Sequence, residues 1–294
     1  MKSDMRRIII FGANGLLGSR LCTHLNSSKF RVFTAGRSKI LDYKIDVSNV
    51  LSLKEFYDDI QPDHVINLIA ETNVDKCETD IAAASFANTL IPCAISKAVC
   101  MTKKKDIHVV QISTDQVYQG NGNHIEDDVA PLNVYGLSKL AGELMMDASR
   151  TAILRTNFFG KSSSSGRLGF SEWIIDSIKH QTEITLFENV RFSALHISSL
   201  CQIIDKVLDN KLIGTYNVGC HNGISKADFG LTIAEKLGFP IELINVGELS
   251  SVPLKARRPL DMTLNVKRLE STLGIECPDI YEEIAKVIME EKNV

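Results

Sequence analysis

No Cys-x-x-Cys pair occurs in the sequence, and its seven cysteines (Cys22, Cys77, Cys93, Cys100, Cys201, Cys220 and Cys277) are scattered along it. An odd, dispersed set argues against a disulfide framework or a zinc site and for reduced thiols in the cytoplasm, so no metal is expected. No run of eighteen apolar residues is present, and a membrane span is not expected. No secretory leader is read either, because MKSDMRRIII passes directly into a strand. The net charge of −3 leaves no excess of one sign that would call for nucleic acid or an anionic membrane as partner. Internal repeats and long low-complexity segments are also missing. What remains is an ordinary globular composition, 44% hydrophobic and 23% charged over 294 residues, long enough for one large domain or two intimate ones.

The chain begins with short apolar runs alternating with amphipathic segments. Arg7 to Phe11 meets FGANGLLGSRLCTHL, in which Gly12, Gly15 and Gly18 form Gly-x-x-Gly-x-x-Gly between a strand and a helix. Glycine lets the backbone turn tightly and approach a diphosphate, and the helix N-terminus supplies free N–H groups. The next strand, Arg31 to Ala35, is followed by Gly36 and Arg37. An acidic residue at that strand end would bind the adenosine ribose 2′-hydroxyl and select NAD. None stands there, and Arg37 could instead pair with a 2′-phosphate, which argues for NADPH, with NADH still possible. Asp46 and Val47 follow a third short strand and could flank the adenine. DHVINLIA, residues 63 to 70, has the pattern of a buried parallel strand whose end, Leu68, Ile69 and Ala70, would line the cofactor. Asn88, in the helix beyond, is placed either behind the active site, holding a water or a backbone bend, or on the surface. The alternation continues through Ile107–Ser113 and Ala152–Arg155, predicting right-handed crossovers and a Rossmann-type doubly wound parallel sheet of the α/β class.

The stretch from Ile112 to Glu143 concentrates the chemistry. VVQIS reads as a buried strand ending at Thr114, and YGLSKLAGELMMDA reads as a helix carrying Tyr135 and Lys139. Residues four apart stack on one helix face, so phenol and ammonium share a site. A neighbouring ammonium favours phenolate and makes Tyr135 a plausible proton donor near neutral pH. A hydroxyl at the strand end, that of Thr114, can orient the group that receives the proton.

After Phe159 the regular alternation weakens. GKSSSSGRLG, residues 160 to 169, reads as a Gly/Ser-rich loop that either closes over substrate or is a passive linker. SEWIIDSIKHQ reads as a helix, FSALHISSLCQIIDKVLD as a strand and then a helix, GTYNVGC as a strand, and SKADFGLTIAEKLGF as a helix capped by Ser225. Arg257 and Arg258, before a proline, suit a diphosphate or are simply solvated. The expected division is a nucleotide-binding domain over residues 1–160, rejoined by about 190–210, and a smaller C-terminal α/β domain over 161–294.

These motifs resemble the extended short-chain dehydrogenase/reductases, and within them the dTDP-4-dehydrorhamnose reductases. The likeness runs through the glycine turn, NLIAETNVDKCE, ISTDQVY, PLNVYGLSKLAGE, ILRTNFFG, GTYNVG and RPLDMTLN. It implies a Rossmann domain holding NAD(P)H on Gly12, Asn14, Gly15, Leu16, Leu17 and Gly18, and a C-terminal domain holding a nucleotide sugar, in a monomer or homodimer. By the same resemblance Thr114, Tyr135 and Lys139 form the catalytic trio, and Lys139 also holds the nicotinamide ribose. Asp115, Asn157, Arg257 and Arg258 would face the substrate, and hydride would pass to C4 of a 4-keto-6-deoxy sugar as Tyr135 gives the proton. Related dehydratases need an Asp-Glu pair after the threonine, whereas this chain has Asp115-Gln116, and an amide cannot take a proton as a carboxylate does. An NAD-holding epimerase would want an acid near Gly36. A non-catalytic nucleotide-binding subunit, such as the methionine adenosyltransferase regulatory subunit, is the alternative from another class.

Overall fold

The computed structural model describes residues 5–26, 29–161 and 168–292. Seven strands form its main sheet: β1 (Arg6–Phe11), β2 (Phe30–Gly36), β3 (Tyr43–Lys44), β4 (His64–Asn67), β5 (His108–Thr114), β6 (Thr151–Thr156) and β7 (Gly214–Val218). Their order is β7-β6-β5-β4-β1-β2-β3, and every neighbouring pair is parallel. This is the Rossmann-type doubly wound α/β fold. Strand order reverses between β1 and β4, which leaves a crevice beyond their carboxyl ends where such folds bind ligands.

Side-chain alternation shows why the strands are apolar throughout. Ile8 and Ile10 enter one core with Ile66, Val110 and Ile112, while Ile9 and Phe11 enter the other with Val65 and Val109. A sheet covered by helices on both faces demands hydrophobic residues at successive positions rather than alternate ones. The helix Leu16–Asn26 buries Leu17, Leu21 and Leu25, a stripe at four-residue spacing.

Two features depart from the sequence-based outline. The strand read over residues 63–70 ends at Asn67. There the Asn67 side chain accepts a hydrogen bond from the Ile69 N–H (3.1 Å) and donates to Gln111 (2.8 Å), diverting the backbone into a turn. The helix Ile81–Met101 also contains one π-turn, Phe86–Leu90. That helix is long and apolar enough to cross a membrane by length and composition alone. Here half of its most apolar window is buried, and it packs against the helices Val50–Ile60 and Val134–Leu144 as a layer of the fold.

Beyond β6 the architecture is smaller in scale. Leu195–His196 pairs with Phe158–Phe159, Arg191–Phe192 lies between Ile224–Ser225 and Asp261–Met262, and Ile184–Phe187 pairs with Ile244–Gly247. The helix Ile197–Asp209 returns to pack against Leu16–Asn26 and leads into β7. Phe159, Phe170 and Phe192 meet around Phe229, with ring centroids 4.8 to 5.6 Å from it, and this aromatic cluster ties the second half of the chain to the end of β6. All seven cysteines are free thiols.

Candidate active site

The glycine turn is built for close approach. Gly12 has φ +84°, and a Cβ there would lie 2.9 Å from the Leu68 carbonyl carbon; one at Gly18 would lie 2.2 Å from the Gly12 carbonyl oxygen. Side chains at either position would push the helix off the strand, so the turn keeps a hollow against the helix N-terminus. Two cavities meet at this hollow, sharing Gly12, Asn14 and Gly15. The smaller, about 200 Å³, adds Arg37, Asp46, Val47 and Ile69. The larger, about 750 Å³, adds Leu16, Leu17, Gly18, Leu68 and Ala70 from the nucleotide side. It reaches Thr114, Asp115, Tyr135, Lys139 and Asn157 at its far end. A dinucleotide fits this layout: an adenosine end at Arg37, a diphosphate at the turn, and a reactive end among the polar groups. The Asp46 carboxyl is held below its ordinary range chiefly by hydrogen bonds from the Ser48 side chain and backbone, with a smaller attraction from Arg37.

Thr114 is the last residue of β5. Its hydroxyl points to Asp115 Oδ1 (3.2 Å) and accepts from the Gln116 N–H (3.2 Å). Tyr135 stands in the first turn of the helix Val134–Leu144, which Asn133 caps by accepting from the Gly136 N–H at 2.8 Å. The same Asn133 donates to Gln116 Oε1 (3.1 Å), joining the start of this helix to the loop after β5. Lys139 is buried, and its Nζ donates to the Ile112 carbonyl at 2.7 Å. Burial lowers its pKa to about 8, partly opposed by Glu143, so it is still mostly protonated at pH 7. Glu143 is itself committed elsewhere, to Ser113 and to a bidentate pair with Arg155.

Asp115 is the second perturbed group. Burial raises its pKa to about 6, against the lowering effect of hydrogen bonds from Asn157 Nδ2 (2.8 Å) and Thr114 and of the nearby Lys226 charge. Asp115 and Asn157 thus form one polar wall of the larger cavity. The two arginines are separated. Arg257 is exposed, with its carbonyl accepting from Asn133 Nδ2 (2.9 Å). Arg258 is half-buried and pairs with Asp75 at 3.0 Å. Neither lines the larger cavity.

Other contributors carry weaker sequence signals. Asn88 is buried, accepts from the Glu71 N–H (2.9 Å), and donates to the Glu71 carbonyl and to Ser138 Oγ (both 3.0 Å). It therefore braces the back of the helix that carries Tyr135. That helix comes close because of Gly142, where a Cβ would lie 2.0 Å from the Asn88 carbonyl oxygen. Phe170, at the start of the helix Phe170–Lys179, lines the cavity next to Leu168 and Gly169. The core of the Gly/Ser loop read as closing over substrate, residues 162–167, lies outside the described residues.

A probable low-salt glycan biosynthesis reductase of Haloferax volcanii is 29% identical over 288 residues, covering 94% of this chain and 95% of that protein. The dTDP-4-dehydrorhamnose reductase of Escherichia coli K12 is 28% identical, covering 96% and 97%. In three dimensions, the crystal structure of dTDP-4-dehydrorhamnose reductase from Bacillus anthracis strain Ames in complex with NADP superposes with a TM-score of 0.86 at 26% identity, covering 97% of this chain and 99% of that one. The model of the RmlD substrate binding domain family matches residues 5–293, and the chain belongs to that family.

Proposed function

We propose that this protein is an NADPH-dependent reductase that converts the C4 ketone of a 4-keto-6-deoxy nucleotide sugar to an alcohol. The observation that carries the reading is a single cavity in which the glycine turn meets Thr114, Tyr135 and Lys139. Residues 1–160, with about 190–210 and the strand β7 (Gly214–Val218) that follows, serve as the cofactor-binding part, and the rest of 161–294 mainly as the sugar-nucleotide-binding part. Arg37 supports NADPH over NADH by offering a bidentate cation at the adenosine end.

When bound, the reduced nicotinamide supplies the hydride. The chain's own residues manage the oxygen that would otherwise become an alkoxide. The Tyr135 hydroxyl gives it a proton, and the Lys139 ammonium one helical turn away stabilises the phenolate left behind. Thr114 turns its hydroxyl from Asp115 to the substrate oxygen and fixes its direction. Asp115 and Asn157, already hydrogen-bonded to each other, present acceptor and donor atoms to the sugar hydroxyls. Gln116 stands where the related dehydratases need a carboxylate; its Oε1 accepts a hydrogen bond from Asn133, an arrangement suited to structure rather than proton transfer.

The test is a screen of 4-keto-6-deoxy nucleotide sugars that follows NADPH absorbance. Consumption with formation of the 4-hydroxy product supports the reading. Tight nucleotide-sugar binding with no turnover of any of them would overturn it in favour of a binding subunit.

A further inference from the structure

One half-buried cation near the active site has no role in the scheme above. Lys226 opens the helix Lys226–Leu237, and its backbone is pinned by an N–H bond to the Val190 carbonyl at 2.9 Å. Its flanks, Ser225 and Ala227, are buried. The ammonium lies over the ring of Phe170, 5.2 Å from the centroid, and Phe170 lines the larger cavity. Among the described residues Lys226 has no ion pair and no side-chain hydrogen bond; its one close partner is the Phe170 ring. Arg258, by contrast, has Asp75. The charges that act on Lys226 are Asp115, which favours its charged form, and Arg258, which opposes it, while burial is the largest influence. Lys226 therefore sits over a ring that lines the larger cavity, within electrostatic reach of Asp115 and of Arg258.

An anion placed here would complete what the protein leaves open. On the nucleotide-sugar reading, C4 lies at Tyr135 and Thr114, and the diphosphate hangs from the anomeric carbon across the same ring. That puts phosphate one sugar ring away from the reacting carbon, beyond the hydroxyls that Asp115 and Asn157 would hold. We propose that Lys226 is a diphosphate-binding residue for the nucleotide-sugar substrate; this rests on the function proposed above. The ring of Phe170 holds the ammonium by cation–π attraction until the substrate arrives. This site is distinct from the glycine turn, which serves the diphosphate of the cofactor.

The test uses the full chain saturated with NADP⁺ and titrated calorimetrically with dTDP, UDP, GDP, CDP and ADP. For whichever diphosphate binds, Lys226→Met should raise Kd about tenfold or more, the loss expected for a charge-assisted contact. Its log Kd should also depend less steeply on salt. Lys226→Arg should retain most of the affinity, and Kd for NADP⁺ should be unchanged in both variants, which also reports that they are folded. Unchanged nucleoside diphosphate affinity in Lys226→Met would overturn the assignment while leaving the reductase reading intact. A matching loss of NADP⁺ affinity would overturn it too, by placing Lys226 on the cofactor. Failure of the unaltered protein to bind any of the diphosphates would bring down the nucleotide-sugar reading itself, and this assignment with it.

Discussion

Replacing Lys139 by methionine should separate stability from activity. The ammonium is buried, and its pKa falls from 10.5 to about 8, first because of desolvation. At about 1.36 kcal/mol per pKa unit, that shift corresponds to roughly 3 kcal/mol of penalty for keeping the charge in the folded protein at neutral pH. Methionine has a similar shape and no charge, so the penalty disappears. The cost is the bond to the Ile112 carbonyl, about 1 kcal/mol, and that carbonyl keeps Gln111 Nε2 as a donor at 2.8 Å. The balance favours the variant by about 1–2 kcal/mol at pH 7, or a few degrees in Tm. The pH dependence has a fixed sign. Between pH 8 and 10.5 the unfolded chain binds the proton and the folded chain releases it, so unaltered protein gains stability as pH rises through this window. The advantage of Lys139→Met should therefore be full below pH 8, vanish before about pH 10.5, and give way above it to a deficit of about 1 kcal/mol, the lost hydrogen bond. Urea denaturation of the cofactor-free proteins across this range measures it. Cofactor affinity and turnover, in contrast, should both fall if the ammonium has the ribose- and phenolate-holding role proposed for it. A variant less stable than the parent by the same amount at every pH would refute the claim that burial sets this group's pKa.

Three other outcomes follow from the site. Tyr135→Phe should keep the fold and NADPH binding but lower kcat by about 10²–10⁴ on a confirmed substrate; near-normal kcat would move the proton donor elsewhere, with Asp115 next in line. Arg37→Ala should reduce the NADPH-to-NADH ratio of kcat/KM by about tenfold or more, and an unchanged ratio would remove Arg37 from phosphate recognition. Because the Asp115 carboxylate gains its proton as pH falls through about 6, substrate affinity should weaken on the acid side of that value. Steady-state KM against pH would show the limb, and it should be missing in Asp115→Asn.

Much of the site was legible because its residues belong to local patterns. Gly12, Gly15 and Gly18 lie within one turn, and Tyr135 and Lys139 are one helical turn apart, so spacing alone brings each set together. Thr114 could be read because a buried strand has an identifiable end. Arg257 and Arg258 differ through what lies across the chain: Arg257 is exposed, with only its carbonyl engaged by Asn133, whereas Arg258 is half-buried against Asp75. No local spacing encodes such pairings. Lys226 had the same disadvantage, since the Phe170 beneath it is 56 positions earlier. The true end of β4 was hidden because Leu68 and Ile69 are as apolar as strand residues, and the chain turns there through a hydrogen bond that the Asn67 side chain accepts from the Ile69 N–H.

The π-turn at Phe86–Leu90 has a consequence for how this chain can change. One surplus residue shifts the angular phase of the helix, so its two halves address different neighbours. Ala84, before the turn, clusters with Cys77 and Tyr135, whereas Ile91, Ile95 and Val99, after it, pack into the core beneath the sheet. Deleting one residue between Phe86 and Leu90 would restore an ordinary helix, but would swing one half by about 100° relative to the other. Asn88 would then lose Ser138, and the helix bearing Tyr135 would lose its brace. Point substitutions can vary the composition of this segment, but its length is fixed by two surfaces that must be satisfied at once.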